Sequence, residues 1–258
     1  MDHQFALTET RGRVLIVMMN RPEVMNAGHA EMHEEMAGIW DGFEADPDLW
    51  VAILTGAGDR AFSAGNDLKA TAQGGRRSNE PTGFMGLTAR RTMEKPIIAA
   101  VNGVAMGGGF EAALACDIIL AADHARFALP EVRVGLFAGA GGVQRLSRQI
   151  TRKPAVEMML TGRSVTAVEG QELGFVNEVV PAPLLMERAV AKAEEIAAVS
   201  PSSVRATKRV LNMMDEAEAL PMNFAMSRLV GSELRGTEDF REGVTAFVEK
   251  RKPAWKNR

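Results

Sequence analysis

Residues 97–116 read Ile-Ile-Ala-Ala-Val-Asn-Gly-Val-Ala-Met-Gly-Gly-Gly-Phe-Glu-Ala-Ala-Leu-Ala-Cys, and the way this stretch divides decides the fold. The apolar run Ile97–Val101 has the length and composition of a buried strand, and residues 111–116 those of a helix. Between them Gly107, Gly108 and Gly109 make a turn that residues lacking side chains form most easily. A strand that passes through such a turn into a helix is the crossover unit of an α/β protein with a largely parallel sheet. The pattern recurs on either side. Val14–Met19 and residues 50–55 are short apolar runs closed by Asn20-Arg21-Pro22 and by Gly56-Ala57-Gly58, and residues 118–121 form another. Met32, Met36, Ile39, Trp40 and Phe43 fall at helical spacing across residues 30–45.

Residues 71–82 are polar, glycine-rich and without periodicity, which predicts a mobile surface loop. Past Pro154 strand signals nearly vanish, residues 175–180 excepted. Helix-prone blocks follow around 183–199, 201–215, 220–233 and 238–250. Ser200-Pro201 marks a boundary, because proline suits the first turn of a helix and not its interior. The expected map is an α/β core over residues 1–199 and a helical region over residues 200–258.

Charged residues make up 24% of the 258 and apolar ones 46%, a balance that supports a packed core and excludes large-scale disorder. A net charge of −3 offers no general attraction to nucleic acid or to a membrane surface. Cys116 is the single cysteine, which rules out an intrachain disulfide framework and fits a reducing compartment, and the apolar segment around it makes a core position the expectation. The first residues carry no basic segment followed by an apolar one, and no run of eighteen apolar residues occurs. Cytoplasmic placement is the expectation. His29 and His33 stand four apart, but no third ligand stands at a recognisable spacing, so they read as an exposed helix face and no metal site is expected.

Two glutamates each follow a turn. Glu111 closes the triple glycine, and Glu131 ends Phe127-Ala128-Leu129-Pro130-Glu131, ahead of the glycine-rich run from Gly135 to Gly142. Upstream lies a third piece, Ala61-Phe62-Ser63-Ala64-Gly65-Asn66-Asp67-Leu68-Lys69. Two carboxyl groups can transfer protons, and glycine-opened turns present backbone N–H groups to a developing oxyanion. Other readings fail on spacing. No G-x-G-x-x-G is present, since Gln144 stands where its last glycine belongs after Gly139, and no G-K-[ST] occurs. Residues 61–65 are one residue from G-x-S-x-G. That alternative would make Ser63 a nucleophile served by His124 and by Asp117 or Asp123.

These three pieces, in this order, resemble the enoyl-CoA hydratase/isomerase (crotonase) family. The likeness runs from Asn20-Arg21-Pro22 and Asn26-Ala27 to the segment from Thr245 to Arg251. It implies a crotonase-type spiral of ββα turns with a C-terminal helical region that serves oligomerisation. It further implies an oxyanion hole from the N–H groups of Asn66 and Gly108, with Glu111 and Glu131 as the catalytic carboxyls. Coenzyme A would lie along Ala64, Asp67, Leu68 and Gly139, with Phe247 and Lys250, often from a neighbouring subunit, at its adenosine end. The implied reaction is reversible addition of water to a 2-enoyl-CoA, without metal or redox cofactor, in a homotrimer or dimer of trimers, with no nucleic-acid or membrane partner. Residues 83–88 and the ending Lys252-Pro253-Ala254-Trp255-Lys256 look like carnitinyl-CoA dehydratases. Residues 138–142 look more like ordinary hydratases, with Ala138 in place of a usual proline. Dehydration of a carnitinyl thioester and double-bond isomerisation stand as alternatives, and a non-catalytic CoA- or RNA-binding protein as a more distant one.

Overall fold

The computed structural model describes residues 3–76, 78–217, 228, 231–232 and 235–254. Its larger sheet has the order β1 (Ala6–Arg11), β2 (Val14–Met19), β3 (Val51–Gly56), β5 (Ile97–Val101), β7 (Ile118–Ala122) and β10 (Glu178–Val180). β1 pairs with β2 antiparallel, and every later pairing in this sheet is parallel. All residues of β3 and β5 are buried, which is why these strands are continuous apolar runs rather than alternating ones. β1 is an edge strand with only Ala6 buried, so its sequence carries no such run.

A second, smaller sheet has no counterpart among the apolar runs of the sequence. It joins β4 (Ala61–Ser63), β6 (Val104–Met106) and β8 (Arg126–Ala128) in parallel, with β9 (Val165–Thr166) antiparallel at the edge. Each turn of the chain gives one strand to the large sheet and the next to the small one. β3 leads to β4, β5 to β6 and β7 to β8, so the chain winds as a spiral of ββα units.

Three of the site-bearing turns run into short helices: α2 (Leu68–Ala72), α3 (Gly108–Ala115) and, after a 3-10 turn at Pro130–Val134, α4 (Gly142–Gln149). Helix α1 (Ala30–Ala45) buries Met32, Met36, Ile39, Trp40 and Phe43, the apolar stripe of its sequence. The chain continues through α5 (Arg152–Thr161), α6 (Ala167–Leu173) and α7 (Leu185–Ala197), which packs across β2, β3, β5 and β7. Strand β10 is shorter than the run 175–180, because Phe175 turns inward to pack its ring on Phe110 and Phe127, 5.0 and 5.2 Å away.

Helix α8 (Pro201–Ala217) begins at the expected proline. The block expected at 220–233 lies largely outside the described residues. Helix α9 (Glu238–Glu249) packs on its own chain, against α2 and the Pro130–Val134 turn. There Gly243 lies so close to Val134 that a Cβ would stand 2.5 Å from the backbone carbon. No helix among the described residues is long and apolar enough to cross a membrane.

Candidate active site

The three glycine- and proline-marked segments meet because β4, β6 and β8 are neighbours in one parallel sheet and end side by side. Ser63 pairs with Ala105, and Met106 with Ala128. Each strand therefore delivers its turn to the same end of the sheet, beyond the carboxyl ends of β4, β6 and β8, where ligands of open α/β sheets also bind.

At the first turn Gly65 takes φ +89°, and a Cβ there would stand 2.6 Å from Met106 O and 3.1 Å from Gly108 N. A side chain would push the two turns apart. Gly28 bridges Asn66 in parallel: its N–H donates to Gly65 O at 2.8 Å, and its carbonyl accepts from Asp67 N–H at 2.8 Å. In such a bridge the N–H of the middle residue, Asn66, faces away from the partner strand. Among the described residues, neither Asn66 N–H nor Gly108 N–H donates to a protein acceptor. The Asn66 side chain is occupied elsewhere, donating to Thr71 Oγ1 at 3.1 Å.

Gly107, with φ +53°, donates its N–H to Ala128 O at 2.9 Å and starts α3, which carries Glu111 one turn in. Glu111 is 3% exposed, and its Oε1 accepts from Gly142 N–H at 2.8 Å. Glu131 sits in the Pro130–Val134 turn with Oε1 3.1 Å from where a Gly107 Cβ would stand, while its Oε2 atom is buried and has no hydrogen-bond partner among the described residues. Burial pushes the Glu111 carboxyl up to about 7, against the N–H groups of Gly142 and Ala140 and the charge of Arg145. Burial and the negative charge of Glu111 push Glu131 up to about 8.

Other candidate residues fall around this centre. Ala64 N–H donates to Met25 O at 2.9 Å, and Leu68 opens α2. The Asp67 side chain serves the scaffold: it caps α2 by accepting from Ala70 N–H at 3.1 Å and pairs with Arg21 at 3.2 Å. Gly139 donates its N–H to Phe137 O at 2.7 Å. Phe247 is half exposed on α9, and Lys250 ends that helix with φ +54°. Cys116 is buried, its thiol pushed up by desolvation. No group of three or more metal-ligating side chains occurs among the described residues.

The hydrolase alternative does not assemble. Ser63 Oγ is buried and donates to Asn26 O at 2.8 Å, while His124 lies on the surface against Asp59 O and Asp123. Replacing Ser63 with Ala should therefore keep turnover within about fivefold and cost ~1 kcal/mol of stability for the lost buried hydrogen bond. Steady-state rates and urea melts check this. Abolished thioester chemistry, with an acyl-enzyme seen by mass spectrometry in the parent protein, would restore Ser63 as nucleophile.

The histidine pair is a correction. His33 is buried, not exposed, and Nδ1 accepts from Met85 N–H at 3.1 Å; His29 is part-buried against Phe5. The spacing of His33 to Met36 and Trp40 put it on the apolar stripe, a pattern its polar side chain masks. Phe84, whose ring lies over Gly108, is a further residue of the site that no catalytic motif in the sequence marks.

A family model for enoyl-CoA hydratase/isomerase matches residues 9–258. The (E)-benzylidenesuccinyl-CoA hydratase of Thauera aromatica is 40% identical over 257 residues, 96% of this chain and 97% of that protein. Carnitinyl-CoA dehydratase of Proteus mirabilis is 42% identical over 255 residues, again 96% and 97%. The crystal structure of carnitinyl-CoA hydratase from Mycobacterium avium superposes with a TM-score of 0.93 at 40% identity, covering all of both chains. The chain belongs to the enoyl-CoA hydratase/isomerase, or crotonase, family. It is accordingly an enzyme, a hydro-lyase of the hydratase and dehydratase type that works on CoA thioesters.

Proposed function

We propose that the protein adds water reversibly across the double bond of a 2-enoyl-CoA to give a 3-hydroxyacyl-CoA. The observation that carries this reading is the pair of carboxyls, Glu111 buried and Glu131 part-buried, both raised into the neutral range beside two backbone N–H groups that donate to no acceptor among the described residues. Hydration builds negative charge on the thioester oxygen as water attacks the β-carbon. Asn66 N–H and Gly108 N–H would hold that oxygen, each contributing roughly 3 kcal/mol to the transition state. Glu111 accepts N–H bonds that favour its ionised form, so it suits the base that takes a proton from water. Glu131 has an oxygen with no partner among the described residues and the higher affinity for a proton, so it suits the acid that protonates the α-carbon. Run backwards, the same division dehydrates.

The backbone around Ala64, Leu68 and Gly139 would receive the pantetheine and adenine, with Phe247 and Lys250 nearer the adenosine end. Coenzyme A enters as part of the substrate, and the chemistry needs neither metal nor redox cofactor. A homo-oligomer remains our reading for the assembly, measurable by light scattering.

A second reading, dehydration of a carnitinyl thioester, is favoured by the Proteus and Mycobacterium relatives named for that acyl group. Both readings are tested together. Loss of enoyl-thioester absorbance is followed with crotonyl-CoA, a carnitine-type enoyl-CoA and an aryl-substituted one, with mass spectrometry of the products. Hydration of at least one is expected. Conversion of 3-enoyl-CoA without any hydration would replace this reading with isomerisation, and no conversion at all would end it.

A further inference from the structure

The segment Phe84–Gly86 is held on α1 from several directions. Met85 is fully buried and adopts φ +52°, a left-handed backbone that residues other than glycine rarely take. Its peptide groups are both claimed by α1: the N–H donates to His33 Nδ1 at 3.1 Å, and the carbonyl accepts from Trp40 Nε1–H at 3.0 Å. His33 and Trp40 stand seven residues apart, so they lie on one helix face about two turns from each other. Gly86 is pressed so closely on α1 that a Cβ would lie 2.4 Å from Ala37 N. Arg90 spans the junction, donating to Gly86 O at 3.0 Å and Ala37 O at 3.1 Å. Thr88 Oγ1 accepts from Phe84 N–H at 2.9 Å.

What this latch positions is the Phe84 ring. Its carbons stand 2.7 to 2.9 Å from where a Gly108 Cβ would be, and 3.1 Å from where a Gly28 Cβ would be. The ring tilts against His33 at 4.7 Å between centroids. Gly28 leaves no free volume, because the His33 Cε1 atom lies 2.5 Å from its Cβ position. An acyl group whose thioester oxygen rests on Gly108 N–H therefore starts beside a fixed aromatic wall.

We propose that Phe84 is the specificity-determining residue of the acyl site, closing it to long unbranched chains, and that His33 is a positioning residue that holds Phe84 there through the Met85 peptide. The inference rests on the hydratase reading above. Because His33 Nδ1 is the acceptor, the neutral ring carries its proton on Nε2, and burial with the nearby His29 keeps it neutral by lowering its affinity for a second proton to about 4.

The test compares kcat/KM for crotonyl-CoA and trans-2-hexadecenoyl-CoA. The parent protein should prefer the short substrate by about a hundredfold or more, a margin a few excluded methylenes can supply. Phe84→Ala should narrow that ratio by at least about tenfold, chiefly by raising kcat/KM for the long substrate. His33→Leu keeps bulk but removes the acceptor, and should narrow the ratio in the same direction although the Phe84 ring is still present. His33→Asn restores an acceptor and should restore much of the preference. A scaffold role alone would lower both substrates together and leave their ratio unchanged. Equal use of both substrates by the parent protein, or an unchanged ratio in Phe84→Ala, overturns the proposal, and Phe84→Ala decides it even if His33→Leu does not fold. No hydration of any thioester overturns the hydratase reading, and this inference with it.

Discussion

Glu131→Gln should lower hydration turnover at least about a hundredfold and yet raise the melting temperature at about pH 9. The first half follows from removing a positioned acid, which typically contributes a factor of a hundred or more. The second follows from where the carboxyl sits. Burial and the Glu111 charge raise Glu131 to about 8, so folding takes up protons between the unfolded value near 4.5 and about 8. The folded state then binds more protons than the unfolded one, and stability declines as pH rises through that window. The contribution is complete below about pH 4 and lost above about pH 8. Glutamine resembles the neutral acid, so it should change little near pH 4 and stabilise above pH 8, by ~1 kcal/mol or more given that one pKa unit corresponds to about 1.4 kcal/mol. Melts across this range, beside initial rates, decide the matter. Near-normal turnover would remove Glu131 from the chemistry, and a pH-independent stability change would remove the buried-proton account.

Gly108→Pro should cost a further two to three orders of magnitude in kcat, about 3 to 4 kcal/mol, with α3 still formed. Proline is well tolerated at the first position of a helix, and Gly108 is that position. The substitution deletes the N–H proposed to hold the thioester oxygen. Its ring also crowds Phe84, because any Cβ at 108 meets that ring within 2.9 Å. Gly108→Ala shares the crowding but keeps the N–H, so the ratio of the two variants isolates the hydrogen bond. Circular dichroism checks the helix, and equal rates for the two variants would show that the N–H contributes nothing.

Much of the large sheet was legible because its strands are buried on both faces. Val14–Met19 and Ile97–Val101 stand out as unbroken apolar runs, and their bounds agree with the structure. The small sheet was not legible. Strands of two or three residues have no measurable period, and β4, β6 and β8 are embedded in segments whose glycines and glutamates draw the eye to chemistry. Yet those strands are what bring the three motifs together. The turn at Gly107–Gly109 into a helix was readable from glycine's conformational freedom, while the partnership of Glu111 with Glu131 came from family likeness and not from any spacing. Histidine at position 33 illustrates the opposite failure. Its place on the Met36 and Trp40 stripe was in the sequence, but polarity suggested solvent, and only the Met85 N–H shows what it does inside.

The order of the small sheet also bears on how the protein acquires its activity as it folds. Ala61 pairs with Val104 and Val104 with Arg126, so every contact that aligns the three turns joins segments far apart in the chain. Closing such loops is entropically costly and slow compared with forming helices or the β1–β2 hairpin. A refolding chain should therefore gain secondary structure well before it can capture an acyl-CoA, and no fragment ending before residue 131 can hold both carboxyls. Competence to bind substrate should therefore come late in refolding, and a stopped-flow comparison of helix formation with acyl-CoA binding would show it.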